Sequence, residues 1–182
     1  MLVYIKNSTY IYAAILLFII PLPWLTAWAV AAIIHELSHI ISVRLCGGHV
    51  DRLIISVGGV DMRCSSISDA KRVICTASGP IGGLLPVAFH HIFPRVAICA
   101  WLLSAYNLMP ILPLDGGHIL QILMSDSVLF YRIQTVLIVL CFLLGVYAAV
   151  IMGFGMIPLI IAFILLIKHR KTPCKKGLRR VQ

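Results

Sequence analysis

The sequence has little acidic charge and a single glutamate. Only six of its 182 residues are Asp or Glu, against fifteen Lys or Arg, so the formal net charge is +9. Hydrophobic residues make up 61% of the chain, above the roughly 45 to 50% that is usual for soluble domains. This composition excludes an ordinary soluble domain and indicates an integral membrane protein.

The sequence also lacks paired cysteines. None of its six cysteines has C-x-x-C spacing, and several lie in apolar segments. We therefore expect small hydrophobic side chains in a reducing or lipid environment, and neither a disulfide framework nor a cysteine zinc site.

Six apolar segments follow one another along the chain. They cover residues 8–22, 24–45, 73–93, 96–112, 133–152 and 156–167. Between the second and third, β-branched residues on either side of Gly58-Gly59 predict a small hairpin at the membrane surface, although a simple linker hairpin fits as well. The predicted fold is an all-α polytopic membrane protein with about six transmembrane helices and this β-hairpin. Residues 8–167 would form one membrane core and residues 168–182 a basic cytoplasmic tail.

The positive charges are distributed asymmetrically. With six spans, fourteen of the fifteen basic residues lie on one side of the membrane, and only Arg95 lies on the other. The positive-inside rule makes the first side the cytoplasm. A multi-pass protein with both termini in the cytoplasm is therefore expected, in which the second and fourth segments both run inward. The basic tail suits contact with anionic lipid and gives little support for nucleic-acid binding.

The single glutamate belongs to an H-E-x-x-H motif in the second segment, His35-Glu36-Leu37-Ser38-His39. On a helix the two histidines lie one turn apart on the same face, so both imidazoles can bind one Zn²⁺. Glu36 projects about 100° round the helix, where a carboxylate can take a proton from the attacking water. The alternative is a helix that carries two histidines by chance. A carboxylate in a bilayer interior costs about 2.5 kcal/mol or more, however, which favours a functional role as in a metalloprotease.

A catalytic zinc usually has three protein ligands and one open position. A second glutamate is absent, and Ser42 and Leu45 occupy the places that the extended H-E-x-x-H-x-x-G-x-x-H motif requires for Gly and His. Asp115 is the preferred third ligand, because it follows a proline-broken helix end at matching depth, near the cytoplasmic face. The alternative role for Asp115 is to cap a helix N-terminus.

Other polar residues fit a metal site less well. His90 and His91 are expected on the opposite side of the membrane from His35. His118 could support a ligand or simply lie at the membrane edge. A solvated position suffices for the remaining aspartates, Asp51, Asp61, Asp69 and Asp126.

Three motifs together resemble the site-2 protease family of intramembrane zinc metalloproteases, peptidase family M50. They are H-E-L-S-H at 35–39, S-G-P at 78–80 and N-x-x-P-x-x-P-L-D-G-G at 107–117. The similarity covers about residues 10–170 and is greatest to the six-span branch of the stage IV sporulation protein FB type. It implies one zinc ion bound by His35, His39 and Asp115, with Glu36 as general base and acid. It also implies that Asn107 lies near the metal and helps to hold the substrate.

The resemblance implies cleavage of a membrane-anchored protein in or near a transmembrane segment, as in the release of a transcription factor during sporulation. The expected partners are that substrate, the lipid bilayer and a regulatory membrane protein. Gly83 departs from the pattern, because family members often have asparagine there. The short tail also leaves no room for the CBS domain of the sporulation enzyme or the PDZ domains of other relatives.

Two other functions remain open. A divalent-metal transporter would also have ionisable groups within the membrane. It would need them along the whole path, whereas here they cluster at one depth. A non-proteolytic zinc-binding homologue would retain its partners without cutting them, but it has no need of Glu36.

Overall fold

The computed structural model describes residues 2–5, 7–56, 59–64, 67–124 and 126–150, so the predicted sixth segment and the basic tail lie outside the described residues. The elements in chain order are β1 (Leu2–Ile5), α1 (Asn7–Ile19), α2 (Leu22–Leu45), β2 (Val50–Ser56), β3 (Gly59–Cys64), α3 (Asp69–Gly83), a 3₁₀ helix (Leu85–Phe89), α4 (Pro94–Asn107), α5 (Asp115–Leu123) and α6 (Ser127–Val150).

The fold is mostly helical, and in the described part three helices are long and apolar enough to cross a membrane. They span residues 22–45, 69–89 and 128–147. Helices α1 and α4 have 13 and 14 residues, about 20 Å at 1.5 Å per residue, against a hydrocarbon core of about 30 Å. The predicted number of six spans therefore stays a prediction. Large apolar side chains cover the outer faces of the long helices, as lipid contact requires.

The structure also contains a small β-sheet, so the predicted all-α class describes the fold incompletely. Strands β2 and β3 pair antiparallel from Val50–Cys64 to Ser56–Gly59, in the region where the sequence predicts a hairpin. Strand β1 pairs parallel to β2, from Leu2–Arg52 to Ile5–Ile55. The sequence did not predict β1, because a four-residue apolar stretch becomes a recognisable strand only when its partner is known. The location of the sheet at the membrane surface stays a prediction.

Helix α2 packs against α3 and α4 through small side chains. Ala27 and Ala31 form a buried cluster with Cys99 and Ala100 of α4. Further along both helices, His35 and Ser104 of α4 lie against the same residue of α3. Small residues allow helices to approach closely. The order of these contacts shows that α2 and α4 run in the same direction, as the sequence predicted for the second and fourth segments.

The loop between α4 and α5 is attached to α6 by one buried amide. Gln134 is fully buried. Its side-chain nitrogen donates to the Pro110 carbonyl oxygen at 2.7 Å, and its side-chain oxygen accepts from the Leu112 backbone N–H at 2.9 Å. Gly116 and Gly117 follow this loop, and a Cβ on either would collide with loop backbone. Together these contacts fix the position at which α5 begins.

Replacing Gln134 by Leu tests this attachment. The Pro110 carbonyl and the Leu112 N–H would lose their partners, and each buried unpaired group costs about 1–3 kcal/mol. We expect a clear drop in the melting temperature of the detergent-solubilised protein. The control Thr135→Val changes an exposed residue of the same helix, for which about 0.5 kcal/mol or less is expected. Equal melting temperatures for Gln134→Leu and the wild type would contradict the attachment.

Candidate metal centre

Three of the predicted site residues converge on one point. His35 Nε2 lies 3.1 Å from Asp115 Oδ2, and His39 Nε2 lies 3.4 Å from the same oxygen. One potential ligand atom from each residue lies within 4.8 Å of the other two. Ligands of a tetrahedral zinc, with bonds near 2.1 Å, are about 3.4 Å apart. The spacing and the donor set of two imidazoles and a carboxylate therefore fit this metal.

Two elements distant in sequence supply these ligands. His35 and His39 lie one turn apart on α2, and their rings are 4.9 Å apart and nearly perpendicular. Asp115 lies in the first turn of α5, whose N-cap residue is Leu114. The helix-capping alternative for Asp115 is therefore wrong, because its carboxylate faces the two histidines.

The hydrogen bond of His39 indicates that its contact with Asp115 needs a positive charge. Its Nδ1 lies 2.8 Å from the Cys75 carbonyl oxygen, which can only accept, so we assign the ring hydrogen to Nδ1. A neutral His39 then directs the Nε2 lone pair at the Asp115 carboxylate, and two acceptors face each other. A second proton on the ring or a metal ion makes this contact attractive. An Nδ1–H bonded to a carbonyl is the usual support for a metal-bound histidine.

Glu36 lies beside this cluster, half-buried on α2. Its carboxylate interacts electrostatically with His39, His35 and Asp115. Among the described residues, the group with metal-binding spacing comprises His35, His39 and Asp115, without Glu36. This arrangement leaves Glu36 available for proton transfer.

Helix α3 contacts the centre through the S-G-P motif. A Cβ at Gly79 would collide with the imidazole of His39. The Ser78 hydroxyl lies 2.7 Å from the Cys75 carbonyl oxygen and 3.2 Å from that of Ser38. The sequence predicted that helices would approach closely at these small residues. In the structure, α3 packs against α2 at His39.

The remaining predicted residues lie apart from the three ligands or make other contacts. The Asn107 side chain donates to the Leu103 carbonyl oxygen at 3.0 Å, one turn back in α4. Its role at the metal stays a prediction. His90 and His91 are exposed, with ring centroids 3.8 Å apart, and His118 is exposed on α5.

Sequence reasoning missed two contributors to this region. The Cys75 carbonyl is a backbone group, so the identity of residue 75 gives no signal for it. Gln134 could have been noticed as a lone amide in an apolar helix, since a buried amide needs hydrogen-bond partners.

Comparison with known proteins supports the resemblance to peptidase family M50. The model for "Peptidase family M50" matches residues 66–148, a range that includes Gly79 and Asp115 but not the two histidines. No curated protein sequence matches the chain. Among solved structures, the chain is similar to "Site-2 Protease from Methanocaldococcus jannaschii", with a TM-score of 0.68 and 12% identity over 99% of this chain and 94% of that chain.

These findings rest on different parts of the molecule. The family match covers the segment that contains Asp115. The H-E-x-x-H helix lies outside the match, yet the fold places both of its histidines against that aspartate. The fold is also similar to that of a site-2 protease. The comparisons therefore show a match to the model of peptidase family M50 over residues 66–148 and a fold similar to that of a site-2 protease.

Proposed function

We propose that this protein is a zinc-dependent intramembrane endopeptidase that cleaves a membrane-anchored protein in or near a transmembrane segment. The observation that carries the proposal is the convergence of His35, His39 and Asp115, from two helices, on one point beside Glu36. The match of residues 66–148 to the model of a peptidase family supports peptide-bond hydrolysis as the reaction.

Each residue has a distinct role in this proposal. His35, His39 and Asp115 would hold the metal. Bound Zn²⁺ would lower the pKa of a water molecule to about 7 and polarise the scissile carbonyl. Glu36 takes the proton from the attacking water and delivers it to the leaving amine. Asn107 helps to hold the substrate, in keeping with the resemblance of its motif.

The apolar surroundings define the kind of substrate. Backbone groups of a transmembrane helix are already hydrogen-bonded within the helix. A peptide carbonyl can therefore reach the centre only where the substrate is locally unwound into an extended strand. A protein tethered by one such segment suits the site, and the release of a membrane-tethered transcription factor, as in sporulation, is a function of this kind.

The charge distribution supports the orientation that we propose. Fourteen of the fifteen basic residues lie on one side in the six-span arrangement, which places both termini and the centre toward the cytoplasm. In this arrangement residues 8–167 form the protease core and residues 168–182 the basic tail. Substrate selection would depend on the core itself or on a regulatory membrane protein.

The first test removes the base and keeps its shape. Glu36→Gln should retain one zinc per chain, because residue 36 is not among the proposed ligands, while cleavage slows by about 100- to 10,000-fold. Metal analysis of the detergent-purified protein and cleavage of single-span membrane peptides measure the two effects. His91→Gln, a change at an exposed histidine, should alter neither. Unimpaired cleavage by Glu36→Gln would exclude the proposed mechanism.

The second test removes the carboxylate ligand. Asp115→Asn should weaken zinc binding by more than about 100-fold, since the loss of a partner that merely supports a ligand already costs about 10- to 100-fold. Competition with a chelator measures the affinity. Asp126→Asn makes the same chemical change at an exposed residue near the start of α6 and should leave zinc binding as in the wild type. Equal zinc affinity in Asp115→Asn and the wild type would remove Asp115 from the ligand set.

A further inference from the structure

The two histidines of the centre differ in how their second ring nitrogen is supported. His39 Nδ1 has the Cys75 carbonyl oxygen at 2.8 Å. His35 Nδ1 is buried and has no hydrogen-bond partner among the described residues, and Ser104 Oγ is in the same condition. A buried polar atom left unpaired costs about 1–3 kcal/mol. Two such atoms in one region suggest that a single interaction satisfies the hydrogen-bonding needs of both.

Both atoms lie against the same glycine. A Cβ on Gly83 would lie 2.8 Å from Ser104 Oγ and 3.2 Å from His35 Nδ1. Both atoms therefore border the space beside Gly83, where a small side-chain rotation would allow a direct hydrogen bond or one water would join them. Buried waters commonly join polar groups in this way.

We propose that Ser104 is a positioning residue that supports His35 through its Nδ1, directly or through one buried water. The hydroxyl oxygen or the water accepts the Nδ1–H hydrogen, which keeps the ring in the tautomer that presents Nε2 to Asp115 and the metal. This inference rests on the metal centre proposed above. Ser104 on α4 would then support the second ring nitrogen of His35, as the Cys75 carbonyl on α3 supports that of His39.

The absence of a side chain at Gly83 is part of the arrangement. A side chain there would enter the space between Ser104 and His35. An asparagine side chain introduced at residue 83 would therefore compete with the Ser104 hydroxyl for one space. Close packing of α4 would not by itself need the hydroxyl, because alanine would allow the same approach without burying a polar group.

The test uses variants at positions 83 and 104. Ser104→Ala should weaken zinc binding by about 10- to 100-fold, the usual effect of removing a partner of a metal-bound histidine. Gly83→Asn alone should also weaken it, since the new side chain meets the Ser104 hydroxyl. The double variant Gly83→Asn/Ser104→Ala should bind zinc within a few-fold of the wild type, because the amide takes over from the hydroxyl. Chelator competition on the full-length protein in detergent gives these affinities.

Cys99→Ala is the matched control for a packing effect. Cys99 is buried on the same helix, in the cluster with Ala27 and Ala31, and the change also removes one heavy atom. Its zinc affinity should equal that of the wild type, and the melting temperatures of the metal-free proteins should show that Ser104→Ala folds as well as this control.

The possible failures are distinguishable. Wild-type zinc affinity in Ser104→Ala would overturn the role of Ser104, and so would an equal loss in Cys99→Ala. A double variant that binds no better than Ser104→Ala would overturn the exchange with asparagine. If the wild type itself binds no zinc, the failure lies with the proposed metal centre.

Discussion

The centre depends on the contact between His39 and Asp115, which would be repulsive without a positive charge between the two groups. Two imidazole nitrogens face one carboxylate oxygen at 3.1 and 3.4 Å, in a part of the molecule surrounded by apolar helices. The hydrogen bond from His39 to Cys75 assigns the ring hydrogen to the far side of the imidazole. In such surroundings an uncompensated charge is costly. A divalent cation would balance the carboxylate and accept the lone pairs of both imidazoles, so that the three groups would form a ligand set.

The surrounding elements explain how these groups are brought together. Gly79 allows α3 to lie against His39, and Gly116 and Gly117 allow α5 to begin directly against the preceding loop. Gln134 attaches that loop to α6 through the Pro110 carbonyl and the Leu112 N–H. The ligands therefore come from positions set by backbone contacts, and the precision of the centre depends on residues that would never touch the metal.

Helical periodicity and the small number of acidic residues explain how much of the site could be predicted from the sequence. The spacing of His35 and His39 places them on one helix face whatever the rest of the fold does. Elimination among few acidic residues then led to Asp115, which the structure brings to both histidines. The resemblance to peptidase family M50 was confirmed by the family match and the fold comparison.

Contacts that arise only in three dimensions could not be predicted in the same way. Strand β1 exists because β2 lies beside it. The Cys75 carbonyl acts through the backbone, and the place of Ser104 near His35 depends on the packing of α4 against α2 and α3. Gln134 acts on a loop that lies about twenty residues earlier in the chain. None of these partners is encoded by a pattern within one segment.

Zinc X-ray absorption spectroscopy of the purified full-length protein tests the central claim most directly. The account predicts one zinc per chain, with two imidazoles and oxygen ligands at about 2.0–2.2 Å. A protein that purifies without zinc and takes up none on titration would contradict the account. So would a zinc shell containing sulfur at about 2.3 Å, because it would assign the metal to cysteines instead of to His35, His39 and Asp115.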